Sequence, residues 1–455
     1  MPSLIKKPRA IYWYIQSFLT KKKKFFFLGF ILGLILTVYL VSDYALSVRD
    51  VVEKENSVGM VGHYTLVNLP LEIQEKISFG LTKITEDGQA TPAASQKWQV
   101  QDAGRTYLFE LKPNLKWQDG KRFISFDINY RLRDVEIRAR GDSLVEFKLK
   151  EPYASLPWLV SQPLFKKSLL GLGEHKVSKL IWKDNFIESL ELNNVNNPKD
   201  KITYKFYATE KDALLALKLK KVSRLTGLKN ISSISNAYNS NNISSNDAFQ
   251  DIVTLFFNTK KPPFDEKQIR LGLTYAIPDK VYKNYKKASG PIPFTSFYFN
   301  KNLKEYNFND DLATKYLKDL TDKKEATDSK NLRIELLTVP GFKNLAEQIS
   351  QAWSERGIKT TVKETSQIPD DSFDVFLAEL EIPKNPDQYY LWHSTQLGNI
   401  SNYHSPRIDK LLEDARRTVD ENERLDLYQQ FQKYLVEDDV AVFLFYGKNY
   451  SVNRQ

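Results

Sequence analysis

A strand, a helix and a second strand in immediate succession constrain the fold more than any other feature of this sequence. Arg333–Leu337 predicts a strand, Asn344–Arg356 an amphipathic helix and Ile358–Val362 the next strand. Gly357 follows the helix at the position where a residue without a Cβ most easily ends it. This is the pattern of a β-α-β unit, so we expect an open α/β sheet with helices on its faces. The apolar helix face consists of Leu345, Ile349, Ala352 and Trp353.

The C-terminal third extends this pattern. Asp374–Leu380 predicts a further strand, and two amphipathic helices follow, the second of which begins at Asp420 with a Glu423 placed to complete a capping box. Val440–Tyr446 is continuously apolar, which is typical of a fully buried strand. Ligands of open α/β sheets bind at the carboxyl ends of the strands, so the residues from Glu379 to Tyr390 are the first candidates for a site.

The first half of the body is predicted to be rich in strands and turns. Tyr107–Leu111 and Leu144–Leu149 alternate in hydrophobicity with period two, as half-buried strands do. Asn193–Lys201 and Asn230–Asn246 are rich in Asn, Ser and Asp, which predicts loops. With 455 residues, of which 42% are hydrophobic, the chain is long enough for two cores, so we expect two lobes.

An uncharged apolar run near the N-terminus predicts a membrane anchor. Phe25–Val41 is long enough to span a bilayer at the lower limit, and Lys21–Lys24 before it keeps the N-terminus cytoplasmic by the positive-inside rule. We therefore expect a basic cytoplasmic segment (1–24), an anchor (25–42) and a spacer (43–59). A cleaved signal peptide and a buried core helix remain as alternatives.

The formal net charge of +10 does not indicate a nucleic-acid-binding protein. Seven of the 66 basic residues lie in residues 1–24, which leaves 59 basic against 56 acidic side chains in the body. A phosphate-binding protein concentrates basic side chains on its folded surface, so this class is excluded. The absence of cysteine excludes disulfides, thiol catalysis, cysteine-ligated zinc and a lipidated cysteine.

Several segments of the body occur in an order that is more specific than any one of them. The matching segments are Tyr64–Leu81, Trp98–Lys112, Leu115–Lys121, Leu255–Phe264, Ile269–Ile277, Gly290–Pro293, Asn385–Ser394, Asn402–Tyr403 and Arg407–Leu412. Together they resemble family 5 of the solute-binding proteins of ABC transporters, the peptide- and nickel-binding class. The resemblance runs from about residue 60 to residue 450.

This resemblance implies an α/β fold of the two-lobed periplasmic-binding-protein type, preceded here by the N-terminal transmembrane helix. Lobe I is expected to comprise residues 60–258 and 440–455, and lobe II residues 259–439, with Leu255–Asn258 in the hinge. The implied function is extracytoplasmic capture of peptides or a peptide-like solute for the membrane subunits of an ABC importer. We expect a monomer at the cell membrane, with its body on the periplasmic side, that is not an enzyme and binds no cofactor or metal.

Two departures from the family pattern keep an alternative open. Gly171–His175 keeps both glycines of a family turn but lacks its Pro and Tyr, and the segment between Phe126 and Glu151 is shorter than usual. A transport-incompetent member acting as a surface adaptor or sensor is therefore the alternative function. An extracytoplasmic peptidase is a further alternative, although no catalytic motif is visible in the sequence.

In the family, a bound peptide is held largely through its backbone, and an acidic side chain receives its α-amino group. Glu381 is the candidate for this acid, because it follows the Asp374–Leu380 strand, and Glu379 is the competing candidate. The bland interpretation is that either residue is a solvated surface acid. His393 and His404 are weaker candidates for ligands of a nickel complex.

The resemblance also suggests contacts on both sides of a cleft. Residues 69–72 occupy the region where lobe I of the family meets the ligand backbone, although most such connections are purely structural. Tyr389 and Trp392 are candidates for an apolar pocket wall, although aromatic side chains lie more often in the core. The four predicted lobe I contacts are Leu69, Pro70, Leu71 and Glu72.

Overall fold

A computed structural model describes residues 33–34, 36–39, 56–229, 234–235, 242–322 and 333–454, with side chains of 319–322 excepted. The predicted basic segment (1–24), most of the predicted anchor (25–42) and most of the spacer (43–59) lie outside these residues. Residues 33–34 and 36–39 are helical. In the described part of the chain, no helix combines the length and the apolar character needed to cross a bilayer.

The strands are numbered in chain order. They are β1 (Ser57–Val61), β2 (Thr82–Ile84), β3 (Ala90–Pro92), β4 (Ser95–Gln101), β5 (Thr106–Leu111), β6 (Val135–Ala139), β7 (Leu144–Leu149), β8 (His175–Lys183), β9 (Phe186–Asn194), β10 (Lys201–Tyr207), β11 (Arg224–Leu228), β12 (Ile243–Phe257), β13 (Arg333–Thr338), β14 (Lys359–Glu364), β15 (Val375–Glu381) and β16 (Ala441–Asn453).

The α-helices are numbered in the same way, and short 3-10 turns lie between them. The helices are α1 (Leu71–Ile77), α2 (Leu156–Leu159), α3 (Glu210–Lys218), α4 (Lys267–Tyr275), α5 (Asp310–Asp322), α6 (Lys343–Ser354), α7 (Tyr389–Trp392), α8 (Pro406–Arg417) and α9 (Glu421–Glu437), and the 3-10 turns are Asp102–Gly104, Ser125–Asp127, Lys167–Leu169 and Asp279–Tyr282.

The predicted β-α-β unit is confirmed. Strands β13 and β14 are parallel neighbours, with helix α6 between them in sequence. The helix buries Ala346, Ile349, Ala352 and Trp353, because these positions recur at helical spacing on one face. Gly357 has φ +82°, which is the left-handed conformation that ends a helix at this position.

Ten of the described strands form one sheet in the order β14-β13-β15-β12-β16-β11-β1-β10-β9-β8. Strands β4, β5, β7 and β6 form a separate antiparallel sheet in that order, which confirms the predicted strands Tyr107–Leu111 and Leu144–Leu149. Helices α4, α5 and α6 cover one face of the β12–β16 part of the large sheet, and helices α7, α8 and α9 cover the other. The result is the two-lobed α/β fold expected from the sequence.

Strands β12 and β16 run through both halves of the large sheet. Their pairing begins at Ile243 and ends at Phe256, with irregular register between Ala248 and Ile252. Strand β16 continues to Asn453, where it pairs with β11, so it extends well past the apolar residues that predicted it. The prediction of a loop over the whole of Asn230–Asn246 was wrong at its end, because β12 begins at Ile243.

Capping at the C-terminal helices follows the sequence signals. The side chain of Ser405 accepts a hydrogen bond from the Ile408 amide at the start of α8. Asp420 does the same for the Glu423 amide at 2.9 Å, as the predicted N-terminus of α9 requires. The chain then enters β16, which is buried over its first seven residues, so the prediction of a C-terminal buried strand is confirmed.

Candidate functional site

Glu379 lies where the two halves of the large sheet meet. It is the fifth residue of β15, and its Oε1 accepts a hydrogen bond at 2.8 Å from the Nζ of Lys229, the residue that follows β11. Lys229 also pairs with Asp251 of β12. One ammonium group therefore links β11, β12 and β15, and in the sheet order β15-β12-β16-β11 it reaches across β16.

Gly447 of β16 makes room for this cluster. A Cβ added at Gly447 would lie 2.7 Å from Glu379 Oε2 and 3.1 Å from Asp251 Cβ. The first distance is shorter than real Cβ atoms show, and the second is tighter than most real Cβ contacts. The missing side chain lets both acids approach the β16 backbone, within reach of Lys229 from the β11 side. A Cβ at position 447 would therefore displace the Glu379 carboxylate from this arrangement.

One lysine shared by two acids leaves this cluster with net negative charge. Burial raises the pKa of Glu379, and the hydrogen bond and charge of Lys229 offset this only in part, while Asp251 and Glu381 add to the rise. For Lys229, burial lowers the pKa, but its bonds to Asp251 and Glu379 outweigh burial and the pKa lies above its usual value. For Glu379 burial has the larger net effect on the pKa, whereas for Lys229 pairing with the acids has the larger net effect. This difference is expected because two acids share one base.

Glu381 is the last residue of β15 and not the first residue beyond the strand, as the sequence suggested. It is exposed and stands opposite Asp251 in the β12–β15 register. Residues two apart in a strand project from the same face, so Glu379 and Glu381 lie side by side. The structure thus brings the two predicted acids together, one partly buried and paired with Lys229, the other exposed to solvent.

The four predicted lobe I contacts divide into core and surface residues. Leu69 is 3% exposed and packs with Ile73 and other apolar residues around α1. Pro70 immediately precedes α1, and Leu71 and Glu72 in its first turn are exposed. Of these four residues, only Leu71 and Glu72 are exposed.

The two predicted pocket aromatics also differ in their surroundings. Trp392 is 2% exposed and packs on Phe256 and Phe443, with ring centroids 6.2 and 5.8 Å away, so it is part of the core. Tyr389 is half-buried, with the His393 ring stacked at 4.1 Å and the Arg416 guanidinium 4.3 Å from its centroid. Tyr389 therefore keeps surface that Trp392 lacks.

A contact between the predicted lobes, which sequence reasoning missed, lies next to Tyr389. The Tyr153 hydroxyl donates to Asp387 Oδ2 at 3.1 Å, and Arg416 Nε lies 3.0 Å from the same oxygen. The Arg416 guanidinium also lies over the Tyr153 ring at 5.1 Å. A cavity of about 240 Å³ adjoins this contact. More than 230 residues separate Tyr153 from Asp387, so no local pattern signals the pair.

A second cavity has walls from both predicted lobes. It lies between the turn Glu86–Gly88, the segment Ile292–Ser296 and the loop Pro383–Gln388. Gln388 lines it at 1% exposure, and neither amide atom has a hydrogen-bond partner among the described residues; the same holds for Gln250 Oε1. Buried amides without partners are rare, but the volume of this cavity is about 10 Å³, so it has room for no more than one water molecule.

The histidines do not form a metal site in the described part of the chain. His393 is 4% exposed, and its Nε2 lies 3.3 Å from Glu413 Oε1. No group of three or more His, Cys, Asp or Glu side chains that could hold a metal ion occurs among the described residues.

The glycines of the altered turn keep a packing role. A Cβ at Gly173 would lie 2.7 Å from the Lys76 carbonyl oxygen, and a Cβ at Gly171 would lie still closer to the Ile77 carbonyl oxygen. Gln118 ties the turn further through its Nε2, which donates to the carbonyls of Ile77, Gly173 and His175. The loss of Pro and Tyr therefore leaves the close approach of this turn to α1 intact.

Comparison with known proteins places this architecture. Residues 182–402 match the model of the bacterial extracellular solute-binding proteins, family 5 Middle. The dipeptide-binding protein of Escherichia coli strain K12 is 22% identical over 442 residues, which cover 78% of this chain and 81% of that protein.

Two solved structures extend the comparison. The ABC transporter substrate-binding protein CtaP of Listeria monocytogenes aligns with TM-score 0.72 and 20% identity, over 88% of this chain and 94% of that one. The oligopeptide-binding protein AppA of Bacillus subtilis, in complex with a nonapeptide, aligns with TM-score 0.65 and 21% identity, over 88% and 94%. These structures share the fold, and the resemblance identified from the sequence is confirmed.

Proposed function

We propose that this chain, a member of solute-binding family 5 by the match of residues 182–402, captures a peptide or peptide-like solute between its two lobes for an ABC importer. Its named relatives bind dipeptides or oligopeptides. The observation that carries the proposal is the cavity of about 240 Å³ beside the Tyr153–Asp387 contact, whose walls come from both predicted lobes. An adaptor role is less well supported, because the turn that suggested it keeps its packing.

The proposed division is lobe I from residues 60–258 and 440–455 and lobe II from residues 259–439. Leu255–Phe257 pair with Val375–Leu377 inside the sheet. The irregular register between Ala248 and Ile252 favours a bend there, a few residues before the predicted hinge. Ligand binding would then stabilise the closed arrangement of two lobes that already exchange between open and closed.

The proposed contacts are those of backbone-directed peptide binding. Glu381 is the better candidate for a solute ammonium group, because Glu379 is already paired with Lys229. Leu71, Glu72 and Tyr389 are proposed as further contacts on the strength of their exposure. Main-chain hydrogen bonds to an added strand give affinity without reading side chains, so we expect broad specificity.

The proposed location is the outer side of the cell membrane. The apolar run of residues 25–42 supports a single anchor with a cytoplasmic N-terminus, and the family match supports an extracytoplasmic body. Protease treatment of intact spheroplasts tests this: digestion of the body with retention of a short membrane-bound N-terminal fragment is expected. Release of the intact body by a salt wash would contradict the anchor.

Thermal unfolding of the purified full chain with a mixed oligopeptide pool tests the function. A ligand that binds only the folded state raises the melting temperature as its concentration rises above its Kd. Native mass spectrometry of the same samples identifies the bound peptide. An unchanged melting temperature across the pool, with no peptide retained, would contradict the proposal.

A further inference from the structure

Trp158 of the proposed lobe I is buried in a core that lobe II and strands β12 and β16 supply. It belongs to helix α2 and is 8% exposed. The other buried members of its apolar cluster all lie between Ile252 and Tyr446, and they include Tyr298, whose ring centroid is 6.4 Å away. The Arg424 guanidinium lies 5.5 Å from the Trp158 ring, within the range of a cation–π contact. One aromatic side chain therefore reaches from the proposed lobe I into the proposed lobe II.

The indole N–H of Trp158 finds its partner on the lobe I side. Its Nε1 donates to the Gly88 carbonyl at 2.7 Å, as a buried indole requires. The turn that carries Gly88 also touches lobe II, because the Phe297 amide donates to the Asp87 carbonyl at 2.8 Å. Lobe I thus orients the ring, while lobe II covers its apolar surface.

The backbone beside Trp158 is joined to lobe II as well. The Ala154 amide donates to the Arg416 carbonyl at 2.7 Å, next to the Tyr153–Asp387 contact described above. Separation of the lobes on this side must break these hydrogen bonds and withdraw Trp158 from its core.

Withdrawal of the indole opposes opening more than the loss of the hydrogen bonds does. An indole leaving an apolar core exposes its own large surface and that of its partners to water. Hydrogen bonds broken on opening are replaced by bonds to water, so their net contribution is smaller. The Trp158 side chain therefore provides an attraction between the lobes that does not depend on any solute.

We propose that Trp158 is a latch, a side chain that shifts the balance of the two lobes toward the closed arrangement and so sets the affinity for every solute by a common factor. The latch deepens the proposed solute-binding function and rests on it. The apparent Kd of a solute that binds the closed arrangement is its intrinsic Kd divided by the closed fraction. A residue that changes only this fraction changes all affinities alike, whereas a residue that touches the solute changes them unequally.

The simpler interpretation is that the segment around Trp158 stays docked on lobe II in every conformation, so the side chain contributes only to folding. The two interpretations differ in the distance between the lobes. Loss of a permanently buried side chain lowers the stability of the fold and leaves this distance unchanged. Loss of a latch increases the fraction of molecules whose lobes are apart.

The first test measures this distance in the full chain without solute. The chain has no cysteine, so the exposed positions Phe126→Cys in lobe I and Ile368→Cys in lobe II can carry spin labels. Trp158→Ala should shift the distribution toward longer distances, and Trp158→Leu, which keeps part of the apolar volume, should shift it less. The leucine variant carries the comparison if the alanine variant does not fold. Trp98→Ala is the matched control, because Trp98 packs on Phe109 within the β4–β7 sheet, 5.8 Å away, and should leave the distances unchanged.

The second test measures affinities for the oligopeptide pool by native mass spectrometry. Trp158→Ala should lower the affinity for every peptide by one common factor of about tenfold or more, and Trp98→Ala should leave the affinities unchanged.

The outcomes separate the latch from the proposed function. An unchanged distribution of distances, or unchanged affinities, in the Trp158 variants would overturn the latch and leave the solute-binding function standing. Losses of affinity that differ from peptide to peptide would also overturn it, because they require contact between Trp158 and the solute. If the unchanged chain binds no peptide, the proposed function fails, and the distances in the solute-free chain still decide whether Trp158 holds the lobes together.

Discussion

The carboxylate of Glu379 lies against the backbone of Gly447, so closely that a Cβ there would be 2.7 Å from its Oε2. The contact joins β15 to β16 across β12, and it leaves Glu379 beside Asp251 and Lys229. The position of the Glu379 carboxylate, and with it the Lys229–Glu379 ion pair between the predicted lobes, therefore depends on the close approach to the β16 backbone.

Gly447→Ala should therefore destabilise the protein by forcing the Glu379 carboxylate away from Lys229. Overpacking at such a site costs about 1–3 kcal/mol, measured by urea unfolding. The same substitution made in a Glu379→Ala background should cost much less, because the atoms that a Cβ meets most closely are then absent. Equal costs in the two backgrounds would show that Gly447 is required for another reason.

Lys229→Met should leave two partly buried acids uncompensated. We expect a loss of about 1–3 kcal/mol, toward the lower end because the Lys229 side chain is 44% exposed and solvent screens its charge. Adding Asp251→Asn and Glu379→Gln should restore part of that loss, as measured by urea unfolding of the single and triple variants. A triple variant less stable than Lys229→Met would contradict the ion cluster as the source of the effect.

Local patterns predicted the elements here, but not the contacts between them. The β13-α6-β14 unit was predictable because its strands, its helix face and Gly357 all lie within the 32 residues from Arg333 to Glu364. Strand β16 was underestimated because its second half alternates polar and apolar residues at the sheet centre. The Lys229–Glu379 pair was not predictable, since 150 residues separate the two and no periodicity relates them.

The burial of the candidate site residues could be predicted only in part, because it depends on contacts between distant segments. The resemblance identified Glu379 and Glu381, and the structure places them side by side at the end of β15. The resemblance could not predict that Trp392 lies in the core whereas Tyr389 is only half-buried, because both residues fall in one short apolar segment. Burial of a side chain depends on distant partners such as Phe256 and Phe443.

Asp439 should make the stability of the fold depend on pH. It is 1% exposed, and burial raises its pKa to about 7, against the opposing effects of the Thr274 hydrogen bond and the Arg270 charge. The folded chain then holds this proton up to about pH 7, whereas the unfolded chain releases it near the usual pKa of 3.8. The stability it contributes is present at low pH and is lost as the pH rises from about 4 to about 7.

Asp439→Asn tests this assignment. Asparagine imitates the protonated acid and tolerates the φ of +51° at this position. The free energy of unfolding of the unchanged protein, relative to this variant, should fall by about 1.4 kcal/mol per pH unit between pH 4 and pH 7. If the difference in free energy of unfolding between the two proteins is constant over this range, Asp439 is ionised in the folded chain.

Tyr153→Phe should weaken the contact between the lobes without disturbing either core. The lost hydrogen bond to Asp387 is worth about 0.5–1.5 kcal/mol, so the open population and the radius of gyration from small-angle scattering should rise. Tyr130→Phe is the matched control, because its hydroxyl bonds the Val160 carbonyl within lobe I and its loss should leave the radius unchanged. Equal changes in the two variants would contradict a role of Tyr153 in joining the lobes.

The central claim, two lobes that close on a solute, is tested most directly by the distance between them. The chain has no cysteine, so Val195→Cys and Ile368→Cys, exposed positions in the proposed lobes I and II, can carry a pair of spin labels. With the oligopeptide pool present, the distribution of distances between the labels should narrow and shift from that of the free protein. A distribution identical with and without the pool would contradict solute-driven closure.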